Sequence, residues 1–188
     1  MNDFYKIFIA ALLILPILVY GSMKKELDYE FIQADNYYSF QGSFIIIAEA
    51  DCLINLIYNF ENISKYSSGA KSVELGRRGE NWYELTFTYR NFLFLENKST
   101  WRRTLNPDEH KVDFELISNR NNLNIIPKML SSTGYYQIHH EKQGCRVEYF
   151  QECKLTPGLL KYAYINKAKK EAIKFLQEFK EYIEKTLD

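Results

Sequence analysis

The sequence predicts an α+β domain in which seven antiparallel strands pack against one long C-terminal helix, with two short helices after the first strand. Three observations carry this. Between residues 71 and 157 apolar side chains recur at every second position, the period of a half-buried strand. From Leu159 to Leu187 they recur every three or four residues, the period of an amphipathic helix. Between an early β-branched run and the long strand region, residues 51–66 take the helical period instead.

The N-terminus differs in character from the rest. Ile7 to Tyr20, "IFIAALLILPILVY", is an uncharged apolar run with Lys6 before it. Its length suits the core of a secretory signal, and a spanning helix needs about 20 residues. Val19-Tyr20-Gly21 sets small residues at the −3 and −1 positions of a cleavage before Ser22. Extended from Phe4 to Met23, the run is long enough for an anchor, flanked by Lys24-Lys25. The expected organisation is a signal peptide or membrane anchor over 1–23, a spacer over 24–38 and one domain over 39–188. The expected location is exported, in a periplasm or outside the cell, or anchored, with this segment as the membrane contact. No cysteine lies near Gly21, so a lipoprotein attachment site is absent.

Within the domain, Phe40 to Ala48 reads as a strand by its β-branched and aromatic content. Asp51 is the expected N-cap of a helix on which Leu53, Leu56, Ile57 and Phe60 share a face. A second short helix over Asn62 to Tyr66 stops at Ser67-Ser68-Gly69. Trp82 to Arg90 alternates, with Tyr83, Leu85, Phe87 and Tyr89 on one face and Glu84, Thr86, Thr88 and Arg90 on the other. Val112, Phe114 and Leu116 alternate with Asp113 and Glu115. Turn signals stand at Arg78-Gly79 with Asn81, at Glu96-Asn97-Lys98 and at Asn106-Pro107-Asp108. Six strands therefore fit between residues 71 and 157, and a meander is the economical topology. Pro157-Gly158 ends them. On the final helix Ile165, Ala168, Ala172, Phe175 or Leu176, Phe179 and Ile183 form the inner stripe. Lys167, Lys170, Lys174, Glu178, Glu181 and Lys185 form a solvated one.

Composition narrows the function classes. The chain has 188 residues, with 24 basic and 24 acidic side chains. That balance argues against a nucleic-acid partner engaged through bulk charge. A hydrophobic share of 46% excludes a disordered tail. The 15 tyrosines and 13 phenylalanines serve first as core and then as pocket lining. Three cysteines are an odd number for an exported chain and read as free thiols.

The stretch "YYQIHHEKQGCRVEYFQEC" gathers potential metal ligands, yet strand parity disperses them. His139 and His140 are neighbours and point to opposite faces. Cys145 and Cys153 share a face but stand roughly 26 Å apart along one strand, too far for a disulfide. A turn over Glu141-Lys142-Gln143-Gly144 pairs His140 with Cys145, Ile138 with Val147 and Tyr136 with Tyr149. Two ligands do not hold a structural zinc, so no metal and no cofactor is expected. The hairpin's inner face is apolar, with His140 as its polar spot.

The order of strand, two short helices, six strands and long helix resembles the helix-grip, START-like (SRPBCC) superfamily. Within it, the polyketide-cyclase and coenzyme-Q-binding-like branch is the most similar. "ADCLINLIYNFENISKY" is similar to that branch's first-helix pattern, with Asn59, Ser64 and Tyr66 where Asp, Pro and Trp are usual. "GAKSVELGRRG" is similar to the strand that follows, and "GYYQIHHEKQGCRVEYFQECKLTPGLL" to the closing hairpin. The resemblance implies a curved sheet wrapped around the C-terminal helix and enclosing an apolar cavity. It also implies lipid, sterol, isoprenoid, quinone or polyketide ligands.

Alternation then nominates the cavity lining: Tyr83, Leu85, Phe87 and Tyr89; Phe114 and Leu116; Tyr136, Ile138 and His140; Val147 and Tyr149; and, from the helix, Tyr162, Ile165, Ala168 and Ala172. The leading expectation is a carrier or binder of a hydrophobic small molecule or lipid. The alternative is a cyclase or dehydratase acting in the same cavity, with His140 or a buried tyrosine as its acid–base group. No carboxylate pair falls on the inward parity, since Glu84, Asp113, Glu115, Glu148 and Glu152 all take the polar one.

Overall fold

A computed structural model describes residues 27–90, 96–120 and 127–187. Its elements are β1 (Asp28–Ala34), β2 (Tyr37–Ile46), α1 (Ala50–Tyr58), α2 (Phe60–Tyr66), β3 (Ser72–Arg78), β4 (Trp82–Arg90), β5 (Glu96–Asn106), a 3-10 turn (Pro107–Glu109), β6 (Lys111–Arg120), β7 (Met129–Glu141), β8 (Gly144–Leu155) and α3 (Lys161–Leu187). The apolar segment expected over 1–23 lies outside the described residues. Among the described residues no helix is long and apolar enough to cross a membrane.

All strands join one antiparallel sheet in the order β1-β2-β8-β7-β6-β5-β4-β3. The meander from β3 to β8 follows the sequence reading, and β2 closes it against β8. The hairpin register is the expected one, with His140 opposite Cys145 and Tyr136 opposite Tyr149.

Four boundaries differ, each for a local reason. The sheet has eight strands and not seven: β1 occupies the expected spacer and pairs with β2 from Asp28↔Ser43 to Ala34↔Tyr37. Its outer positions are exposed, as on any edge strand, so the polar pattern of "DYEFIQA" hid it. Helix α1 starts at Ala50 after a Glu49 cap without a side-chain bond, so Asp51 is not the N-cap. Asp51 instead meets His110 across 3.0 Å. Helix α2 starts at Phe60, earlier than expected, because the Asn59 side chain accepts from the Glu61 N–H. Glu96-Asn97-Lys98, expected as a turn, opens β5.

The core lies between the inner sheet face and the helices. Phe40, Tyr66, Leu176, Phe179 and Ile183 are among its fully buried side chains. Helix α3 lies closest to β2, β1 and α2. Gly42 on β2 makes the close approach feasible, since a Cβ there would strike Leu176 Cδ2. Beyond Glu115↔Thr133, β6 and β7 no longer pair. The second half of β6 stays with β5, and the first part of β7 stays with β8. The sheet therefore forks toward the end where α3 begins.

Candidate functional site

The inner face divides into two layers. In the lower layer Tyr83, Leu85, Phe114, Tyr136, Ile138 and Val147 are buried. Their rings interlock with α2 and the second half of α3. Tyr136 lies 5.4 Å from Phe179, and Tyr66 lies 4.8 Å from Phe179, centroid to centroid. Such tilted aromatic contacts make a filled core.

In the upper layer, near the start of α3, packing is looser. Phe87, Tyr89 and Leu116 are half-buried, as are Ala168 and Ala172 on the helix. Helix α3 leans toward β1 and β2; Ala168 packs beside Tyr38, Cys153 and Leu155, and Ala172 packs against the main core. Tyr149 spans both layers: it stacks on Phe114 at 5.7 Å and its hydroxyl donates to Gln151 Oε1 at 2.8 Å. Gln151 Nε2 in turn donates to Ser132 Oγ at 3.1 Å. The phenols of Tyr89, Tyr149 and Tyr164 act on one another or on Cys153 across this region. Burial pushes Tyr164 up to about 12, with the Cys153 thiol adding to it, and burial also raises Tyr89 and Tyr149.

Three nominated residues join neither layer. Ile165 is fully buried against Tyr38, Cys153 and Leu155. Tyr162 is 64% exposed under Lys161, on the solvent side of the helix. His140 is exposed at the hairpin end, where it meets His110 edge to face at 5.6 Å. The inward parity of His140 is correct, but the strand has by then run past the core. Among the described residues no group of three or more His, Cys, Asp or Glu is placed to hold a metal. All three cysteines are free, with Cys145 and Cys153 buried and Cys52 exposed.

Three interior features lay outside the sequence reading. On β5, Trp101 is half-buried beside Leu116, and its indole N–H donates to Ser99 Oγ at 2.9 Å. Two positions on, Arg103 is buried at 5% exposure. Its guanidinium donates to the Ile57 carbonyl at 2.9 Å and to Tyr66 Oη at 3.4 Å, and lies 5.0 Å from the Tyr136 ring centroid. Among the described residues no carboxylate reaches it. Burial works against its charge, and the phenols of Tyr66, Tyr83 and Tyr136 more than offset this. The third is Tyr164, which shares a stripe with Ala168 and Ala172 at intervals of four.

No family model matches the sequence, and no curated protein matches it significantly. Solved structures do. A Thermus thermophilus protein superposes with a TM-score of 0.64 at 12% identity, over 78% of this chain and 94% of that one. This is the helix-grip fold. The Zhui aromatase/cyclase of Streptomyces sp. R1128 superposes at 0.61 and 10% identity, over 78% and 93%. A START superfamily protein of Mycobacterium smegmatis gives 0.55 and 12%, over 79% and 95%. At such identities the helix-grip likeness is one of fold.

Proposed function

We propose that the domain binds a hydrophobic small molecule of the lipid, isoprenoid or quinone-like kind between the sheet and the first half of α3. One observation carries the reading. Tyr89 and Tyr164 keep accessible surface, yet their phenols are dehydrated enough to be raised by burial. Such half-buried rings, with phenols raised by burial, stand among the apolar side chains of this layer and are placed to contact a hydrophobic ligand. Phe87, Trp101, Leu116, Tyr149, Ala168 and Ala172 complete an apolar wall with a few polar groups, the usual character of a small-molecule site. The helix-grip likeness to an aromatase/cyclase and to a START superfamily protein is compatible with an interior site.

Binding is favoured over catalysis because His140, the imidazole nominated for acid–base chemistry, stands exposed at the far end of its hairpin. Export or anchoring by residues 1–23 would place the domain where hydrophobic molecules must cross water. The test is organic extraction of the natively purified protein followed by mass spectrometry. A stoichiometric hydrophobic molecule is expected, and an extract no different from a mock purification contradicts the reading.

A further inference from the structure

A second concavity opens away from the interior layer, between the α1–α2 junction and the β3–β4 hairpin. Its volume is about 210 Å3, and Tyr58, Phe60, Leu75, Arg78, Trp82 and Tyr83 form its walls. Phe60 and Leu75 are 39% and 38% exposed, so apolar surface faces water here. Tyr58 and Tyr83 pack at 4.8 Å, and the Tyr83 hydroxyl donates to the Tyr58 carbonyl, which fixes the inner wall. At Gly79 a Cβ would collide with the Trp82 indole, so that turn accepts the ring only as glycine.

The charge in this pocket is set by a bulge. Leu75 pairs with Leu85, but the register then shifts, so Arg78 and not Arg77 stands opposite Tyr83. A bulge of this kind re-aims side chains. Arg77 is sent to the outer face, where it bonds Glu84 at 2.9 Å. Arg78 is left lining the pocket. Tyr83 in turn stands opposite Arg103, so one tyrosine separates two guanidinium groups in a single cross-strand row. Among the described residues neither arginine has a carboxylate within ion-pair distance. Arg103 is used as a tie to α1, yet its Nε remains without a partner. Glu80 also borders the pocket and is the one negative group among its lining residues.

We propose that this pocket binds a small aromatic carboxylate. Its ring would lie among Tyr58, Phe60 and Trp82, and its carboxylate would face Arg78, whose planar fork matches that group. The positive field of Arg103 behind Tyr83 favours an anion over a neutral molecule. The volume admits one or two rings. The site is independent of the interior ligand and stands if that reading fails.

The test uses 2-naphthoate and the two tryptophans. In a titration followed by NMR of 15N-labelled protein, the Trp82 indole N–H is expected to shift and saturate, while that of Trp101 stays in place. Arg78→Gln is expected to weaken binding about tenfold, the scale of one charge-assisted contact, and Glu80→Gln to tighten it by a smaller factor. The neutral 2-naphthalenemethanol is expected to bind at least about tenfold more weakly. Equal affinity for acid and alcohol, an unaffected Arg78→Gln protein with wild-type folding, or a shift confined to Trp101 each overturns the proposal.

Discussion

Arg103 Nη2 donates to the Ile57 carbonyl oxygen across 2.9 Å, so a cation from β5 closes the last turn of α1. A helix C-terminus leaves carbonyls unpaired and carries partial negative charge, which makes this a favourable place for a buried guanidinium. Arg103→Met keeps the bulk and removes the donors. It is expected to cost about 2 kcal/mol, the scale of a buried acceptor left unpaired. Amide exchange in α1 is expected to quicken at the same time. Unchanged denaturant midpoint and unchanged exchange at Leu56 to Tyr58 contradict the role.

Gly42 and Leu176 form a second pair, in which a missing side chain lets the helix rest on the strand. Gly42→Ala is expected to destabilise by about 1–3 kcal/mol through overpacking. Leu176→Ala alone is expected to cost about 2–5 kcal/mol through the cavity it leaves. Because each relieves the other, the double variant is expected to lose less than the sum. Additive losses in urea unfolding refute the contact.

Burial pushes the Cys153 thiol from 9.0 up to about 11, and Tyr164 from 10.0 up to about 12. Both acids ionise more readily when unfolded. The stability they contribute is therefore complete below about pH 9 and lost as the pH rises through 11 and 12. Melting temperature is expected to fall across that window. At about pH 8, a thiol reagent is expected to modify Cys52 quickly and Cys145 and Cys153 only on unfolding, since the last two are buried. Rapid modification of all three in the native protein contradicts the packing.

Much of the fold is legible in the sequence because parity and helical period are strong where one face is buried. The Tyr136↔Tyr149 and His140↔Cys145 register follows from the turn at Lys142-Gln143 alone. What stayed hidden is where apolar alternation is broken. Strand β1 is an exposed edge. Strand β5 carries Ser99 and Arg103 on its inner face, so Trp101 and Leu105 look isolated among polar neighbours. The candidate site was read as one face of uniform character, whereas strand length and the lean of α3 split it into a packed floor and a looser upper layer. His140 and Tyr162 have the right residue types and lie beyond the ends of that face. Tyr164 could have been found, since its four-residue spacing to Ala168 and Ala172 is visible in the sequence.

The most direct test of an interior binding site is the affinity of the neutral hydrophobic fluorophore N-phenyl-1-naphthylamine for the wild-type protein and for Ala168→Phe. The wild type is expected to bind it saturably. A ring at position 168 would intrude on the proposed site between the sheet and the first half of α3, so the variant is expected to lose at least about tenfold in affinity while melting within a few degrees of the wild type. Equal affinity in the two proteins, or fluorescence that never saturates in the wild type, contradicts the account.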